Sequence, residues 1–311
     1  MTLDHPALLY RDLSEYRTVL SGFARHAVAA GDAVLVAVPG PNLAVLREAL
    51  VGLDRAVSFT DMTEAGRNPG RIIPGVLLAF AAAHPGRRTS IIAESLWPGR
   101  TELERPACAQ HDALVNAVFA GRDTAIICPY DATRLDGAAI AEAGRSHPAM
   151  IVDGVRRASV AYTDPIVTAA RSNRPLPGPP DGAVRMRYAE PADLGAVRRF
   201  AAEHAAKAGL AETRGEDLVS AVNELAENTL VHTAGGGTLT VWADRGQFVC
   251  RIADQGHLAD PLAGRIPPAS RTEGGRGLLL AHHLCDLVRV HTVPGATTFH
   301  LYMDVPPGVG P

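Results

Sequence analysis

The sequence predicts two domains joined by a proline-rich linker. The first is a doubly wound α/β domain with a mainly parallel sheet, and the second an α+β domain with helices on one face of a mainly antiparallel sheet. Three observations carry this. Short apolar runs alternate with helical patterns up to residue 170, prolines and glycines crowd residues 171–183, and from residue 184 two helices precede strands joined by tight turns. A length of 311 residues suits two domains.

In the first domain, 1–170, strands are expected at 33–38, 56–59, 90–93 and 124–128, with helices near 42–50, 75–84, 104–120 and 137–146. Continuous apolar strands separated by helices indicate a parallel sheet covered on both faces. In the linker, 171–183, proline removes both helix and ladder hydrogen bonds and favours an extended, semi-rigid spacer. The second domain, 184–306, is expected to run strand 184–188, helices 192–208 and 216–232, strands 238–243 and 248–254, helix 277–285 and strands 287–292 and 297–305. Pro294-Gly295 joins the last two strands.

Composition narrows the function classes. Lys and Arg number 30 against 33 Asp and Glu, a formal charge of -3 with no long run of one sign, so direct nucleic-acid binding is not suggested. The four cysteines form neither a CxxC pair nor a zinc-knuckle spacing, and fit reduced thiols in the cytoplasm. The opening residues do not read as a signal peptide, and no stretch has the ~18 consecutive apolar residues of a membrane span. These features together point to a soluble cytoplasmic protein.

The helix 216–232 carries Glu224, Asn228 and His232 at i, i+4 and i+8, along one face. A stripe of carboxylate, amide and imidazole on a helix suited to burial needs partners, since each unpaired buried polar group costs about 1–3 kcal/mol. A cation and phosphates would supply them. Asp254-Gln-Gly256 ends a strand, where its carboxylate can accept from an exocyclic amine such as that of adenine. Gly274-Gly-Arg-Gly277 opens a helix, where glycines let backbone N–H groups approach phosphate. Taken singly each part has a plain reading: a turn, a solvated helix face, a helix-terminal histidine, or in Thr297 a good strand former. Their conjunction in order describes a nucleotide pocket.

Asn223-Glu-Leu-Ala-Glu-Asn-Thr-Leu-Val-His232 resembles the N box of the GHKL ATPase superfamily, Asp254-Gln-Gly256 its G1 box and Gly275-Arg-Gly277 its G2 box. The short segment between Gly256 and Gly274, where an ATP lid belongs, is most similar to that of anti-sigma-factor serine kinases. The resemblance implies a Bergerat-type sandwich that binds ATP and Mg²⁺. It makes Asn228 the Mg²⁺ ligand, Glu224 the general base toward an attacking hydroxyl, and Asp254 the reader of the adenine amine, with Gly256 allowing close approach. Gly275, Arg276 and Gly277 would cover the phosphates, and Thr297 would add a hydrogen bond near the base.

In the first domain, strand 33–38 runs into Pro39-Gly-Pro-Asn42 without the Gly-Lys-Ser/Thr of a P-loop, so no second ATPase is expected. Ligands of open α/β sheets bind beyond the carboxyl ends of strands, which places Glu94, Arg100, Tyr130 and Asp131 near one rim. His5-Pro-Ala-Leu-Leu-Tyr10, the stretch 94–116, Cys128-Pro-Tyr-Asp131 and His147-Pro148 resemble the MEDS sensory domain; the resemblance implies a small molecule or partner as ligand and leaves its identity open. His5 and Tyr10 equally suit capping and packing of a first helix, and Cys128 a small buried hydrophobe. Cys108 and His111 share a helix face but are too few to ligate a metal alone.

The combined resemblance implies a regulator in a partner-switching circuit. It would phosphorylate a serine or threonine of an anti-anti-sigma (STAS-type) protein and bind a sigma factor, under control of its first domain. The alternative keeps the fold without catalysis, as a nucleotide-responsive or nucleotide-free binding module. A third reading turns Glu224 on water, as an ATPase or phosphatase. The surface around Val197-Arg-Arg-Phe200 offers a place for a homodimer contact, or is an ordinary packed helix.

Overall fold

The computed structural model describes residues 2–268 and 275–306. The chain divides into two compact units between Ser172 and Asn173, each built on its own sheet.

The first unit opens with β1 (Leu3–Asp4), β2 (Pro6–Tyr10) and α1 (Leu13–Ala29). It continues through β3 (Ala33–Val38), α2 (Gly40–Ala49), β4 (Val57–Asp61), α3 (Ala79–Ala83), β5 (Thr89–Ala93), α4 (Arg105–Val118) and β6 (Thr124–Asp131). It closes with α5 (Gly137–Ser146), β7 (Ala149–Val152), β8 (Val155–Ala158) and α6 (Pro165–Ala170). The strand order is β4-β3-β5-β6-β2-β7-β8, with β1 also on β6. Pairing is parallel except in the β7–β8 hairpin, whose Asp153-Gly154 turn puts both residues at positive φ (51° and 71°). Every residue of β3, β5 and β6 is buried, as strands covered on both faces require. The strand order reverses between β3 and β5, so their carboxyl ends flank a crevice of the kind that holds ligands in such sheets.

Strands β1, β2, β7 and β8 and helix α6 were not among the elements expected from sequence, and one expected helix begins differently. Pro6–Tyr10 forms an interior strand between β6 and β7, and from it Tyr10 packs edge-on against Tyr16 of α1 at 4.8 Å, the packing on the first helix that its sequence position allowed. Proline is tolerated at the first strand position. The helix expected over 75–84 begins as a π-helical turn at Ile73–Leu78 before α3, because Pro74 lacks an N–H and crowds the carbonyl four residues back.

The second unit runs β9 (Val184–Tyr188), α7 (Leu194–Lys207), α8 (Glu212–His232), β10 (Gly237–Asp244), β11 (Gln247–Asp254), α9 (Gly277–Leu284), β12 (Leu287–Val293) and β13 (Ala296–Asp304). The sheet is antiparallel, ordered β12-β13-β11-β10-β9. Helix α8 packs against α7, α9 and three strands. Its buried Leu218, Ala221, Val222, Leu225, Ala226 and Thr229 recur at helical spacing, and they meet Leu239, Ile252 and Leu301 from the sheet. Burial of a leucine in such a core contributes about 1.5–3 kcal/mol. That apolar contact fixes α8 against the sheet and brings Thr229, at the edge of the same face, to Asp254 at the end of β11. Val197 is fully buried and Phe200 packs on the core, which leaves Arg198 and Arg199 as the exposed residues of that stretch.

Candidate functional site

A cavity of about 460 Å³ opens in the second unit between α8, the end of β11 and the start of α9. Asn228 and His232 line it from α8, Asp254 and Gly256 from the end of β11, Gly275 and Gly277 from the start of α9, and Thr297 from β13. Leu225, Leu258, Ile266 and Phe299 give it apolar walls. Glu224 reaches the same place: a side-chain carbon built on Gly277 would stand 2.9 Å from Glu224 Oε2 and 3.0 Å from Asn228 Nδ2. Glu224 is half-buried and Asn228 exposed to the cavity.

Asp254 is held at the floor. One oxygen accepts from the Gly256 N–H at 2.8 Å and the other from the Thr229 hydroxyl at 2.8 Å, which itself accepts from Tyr188 at 3.2 Å. Gly256 leaves no room for a side chain, which would meet Thr233 at 2.9 Å and Asp254 at 3.0 Å. Across the sheet Asp254 pairs with Thr297, whose hydroxyl is 2.8 Å from that of Thr292; the latter accepts from Leu258 N–H at 2.9 Å. Thr292 is tied in turn by Asn173, whose amide donates to the Thr292 carbonyl at 2.7 Å and accepts from its N–H at 2.9 Å.

Of the residues expected from sequence, six line one cavity, Asn228, Asp254, Gly256, Gly275, Gly277 and Thr297, and Glu224 stands beside Gly277 at its border. Arg276 is exposed at the N-cap of α9 and does not line the cavity. Gly274 lies outside the described residues. Thr229, Tyr188 and Thr292 were not anticipated. Thr229 had a signal, as the single hydroxyl on the apolar face of α8.

The first unit holds a second polar cluster at the crevice between β3 and β5. Glu94 is fully buried and accepts from the Tyr16 hydroxyl at 3.0 Å and from Asn42 at 2.9 Å. Burial raises its carboxyl to about 8, against the two hydrogen bonds that favour its ionised form, and Asp131 adds to the rise. The expected rim of four is split. Tyr130 donates to Asp112 at 2.6 Å instead. Arg100 is buried on the carbonyls of Gly66, Arg67 and Ser95 and stacks on Trp97 at 3.7 Å. Successive residues of β6 point to opposite faces of the sheet, so Tyr130 and Asp131 cannot serve one site. The Cys108 thiol donates to the Ser95 carbonyl, and with His111 it joins no third metal-ligand residue among the described residues.

Residues 4–148 match the family described as MEDS: MEthanogen/methylotroph, DcmR Sensory domain. Residues 188–303 match the family described as histidine kinase-like ATPase domain. The chain joins a MEDS domain to a histidine kinase-like ATPase domain. No curated protein matches the sequence. Among solved structures, one described as the RsbU and RsbW domains of Rv1364c from Mycobacterium tuberculosis is similar at 20% identity and a TM-score of 0.31, covering 40% of this chain. This chain spans 33% of that one. The cavity belongs to the ATPase domain, and the Glu94 cluster to the MEDS domain. The ATPase domain implies ATP binding, and the site fits it: an apolar slot with a fixed carboxylate at its floor and two glycines whose side chains would collide with site residues. No described helix is long and apolar enough to cross a membrane, and all four cysteines are buried.

Proposed function

We propose that the ATPase domain is a Mg²⁺-dependent protein serine/threonine kinase acting on an anti-anti-sigma protein of STAS type. In the same partner-switching circuit it binds a sigma factor, and the MEDS domain controls both acts. The observation that carries this reading is the meeting of the Glu224 carboxylate and the Asn228 amide at Gly277, on the rim of the cavity. A pure binding module has no use for a base and a metal ligand on adjacent turns of one helix.

The residues divide the work. Asp254, immobilised by Gly256 and Thr229, presents an acceptor to the adenine amine, while Leu225, Leu258 and Phe299 cover the base. Thr297 adds a hydroxyl beside it. Asn228 would hold Mg²⁺, and Gly275 and Gly277 leave backbone N–H groups open to phosphate at the start of α9. Exposed Arg276 would reach the phosphates from outside the cavity. Bound Mg-ATP supplies the phosphoryl group and the charge neutralisation. Glu224 takes the proton of the incoming serine or threonine hydroxyl, which raises that oxygen's nucleophilicity.

Incubation of the purified chain with labelled ATP, Mg²⁺ and candidate STAS-type proteins tests this. Label should appear on the partner and vanish with Glu224→Ala or Asn228→Ala. Binding of ATP without any label transfer would leave a nucleotide-responsive module, and label lost only as free phosphate would leave an ATPase. Failure to bind ATP at millimolar concentration would sink the kinase.

A further inference from the structure

The MEDS domain contains a buried cluster that the reading above does not use. His5 stands between β1 and β2, Cys128 lies in β6, and His147 follows α5 just ahead of β7. Strand β2 pairs with β6 on one side (Ala7 opposite Cys128) and with β7 on the other (Pro6 opposite Ala149), so residues far apart in sequence meet. One ring nitrogen of each histidine and the Cys128 thiol all lie within 4.8 Å of one another, and all three residues are buried. Cys128 Sγ is 3.4 Å from His5 Nε2. Two ligands at ordinary zinc bond lengths and a tetrahedral angle stand about 3.6 Å apart.

The outer nitrogen of each ring is already engaged. His5 Nδ1 is 3.0 Å from Asn116 Oδ1, and the Asn116 amide nitrogen donates to the Ser146 carbonyl at 2.7 Å, which fixes its oxygen toward His5. His147 Nδ1 is 2.8 Å from the Ala143 carbonyl. Both acceptors require a hydrogen on Nδ1, so each Nε2 presents a lone pair, the tautomer that metal-bound histidines are held in by their outer partners. His147 Nε2 is buried and finds no hydrogen-bond partner among the described residues. A histidine kept only for its bulk would leave that atom unsatisfied, which folded proteins avoid.

We infer that His5, Cys128 and His147 form a site for a thiophilic transition-metal ion, with Zn²⁺ the ion that two imidazoles and a thiolate suit best. No oxygen ligand is in the set, which disfavours Mg²⁺ and Ca²⁺. Cysteine binds metal as the thiolate, so the ion displaces the Cys128 thiol proton and one H⁺ leaves to solvent as the metal–sulfur bond forms. Three protein ligands leave a fourth tetrahedral position for a small external donor, the arrangement of open rather than structural zinc sites. The ion would join the amino-terminal ends of β2 and β7 to the middle of β6.

The test uses the full chain, stripped with a chelator under reducing conditions and titrated with Co²⁺ and then Zn²⁺. One equivalent of Co²⁺ should give a thiolate-to-cobalt charge-transfer absorption, erased by one equivalent of Zn²⁺, with about one proton released per ion. Cys128→Ser should abolish the absorption. His147→Gln should weaken Co²⁺ binding about 100-fold or more, the scale of losing a ligand or its support, with the circular dichroism of both variants unchanged. No charge-transfer band in the wild type, or a band undiminished in both variants, overturns the site. Thermal unfolding decides without variants: one equivalent of Zn²⁺ should raise the wild-type midpoint, and the absence of any rise refutes the inference.

Discussion

Gly277 opens helix α9 directly against Glu224, with room for a hydrogen and none for a methyl group: the added carbon would lie 2.9 Å from the carboxylate oxygen. The obstacle is the tip of a flexible side chain, so Gly277→Ala should fold and instead push Glu224 and Asn228 out of place. Expected is a tenfold or greater loss of ATP affinity, about 1.4 kcal/mol, with little change in the unfolding midpoint. Calorimetric titration with Mg-ATP beside thermal unfolding checks both halves.

Asp254→Asn removes the charge that Gly256 and Thr229 hold in place. Hydrogen bonds to charged groups contribute about 1.5–3 kcal/mol, so ATP affinity should fall roughly 10- to 100-fold. Adenine should lose its advantage over guanine in competition. An unchanged preference would place base recognition elsewhere.

Tyr188→Phe deletes one hydroxyl two steps from the nucleotide. It should cost about 1 kcal/mol in urea unfolding of the ATPase domain, an ordinary hydrogen-bond loss. ATP affinity should drop by no more than a few-fold, since Thr229 still reaches Asp254.

The architecture was legible because the strands of the MEDS domain are continuously apolar and those of the ATPase domain follow one another through turns such as Arg245-Gly246 and Pro294-Gly295. The site was legible where chemistry sits in motif residues, as at Glu224, Asn228 and Asp254. What stayed hidden depends on register. Pro6–Tyr10 could be assigned to the sheet only by knowing that β6 and β7 flank it. The Tyr188–Thr229–Asp254 chain needs the pairing of Gly237 with both Tyr188 and Asp254. Tyr130 and Asp131 are sequence neighbours that the strand sends to opposite faces, and no composition signal marks that.

Glu94 makes the MEDS domain pH-sensitive. It keeps its proton in the folded state up to about pH 8 and sheds it near its ordinary 4.5 when unfolded, so in between the folded state binds more protons. The stability it contributes is complete below 4.5 and lost as pH rises through about 8. Asp112, raised to about 6, and the buried rings of His5 and His147 titrate at or below 6.5, and on unfolding the two rings take up protons near that value, which opposes Glu94 there. From pH 7 to 8, where the unfolded rings are mostly neutral, stability should therefore fall, by less than about 1.4 kcal/mol per pH unit. Glu94→Gln should flatten that slope in thermal unfolding across the same interval; a slope identical to wild type would mean Glu94 is ionised when buried.

The Asn173 amide imitates a strand's backbone toward Thr292, giving one donor and taking one acceptor at the rim of the sheet. It shields the outer border of β12 at that point from pairing with a foreign strand. It also moors the incoming polypeptide to the threonine whose hydroxyl touches Thr297. The first residue of the second unit is thus anchored, through Thr292, to Thr297 in the wall of the nucleotide cavity.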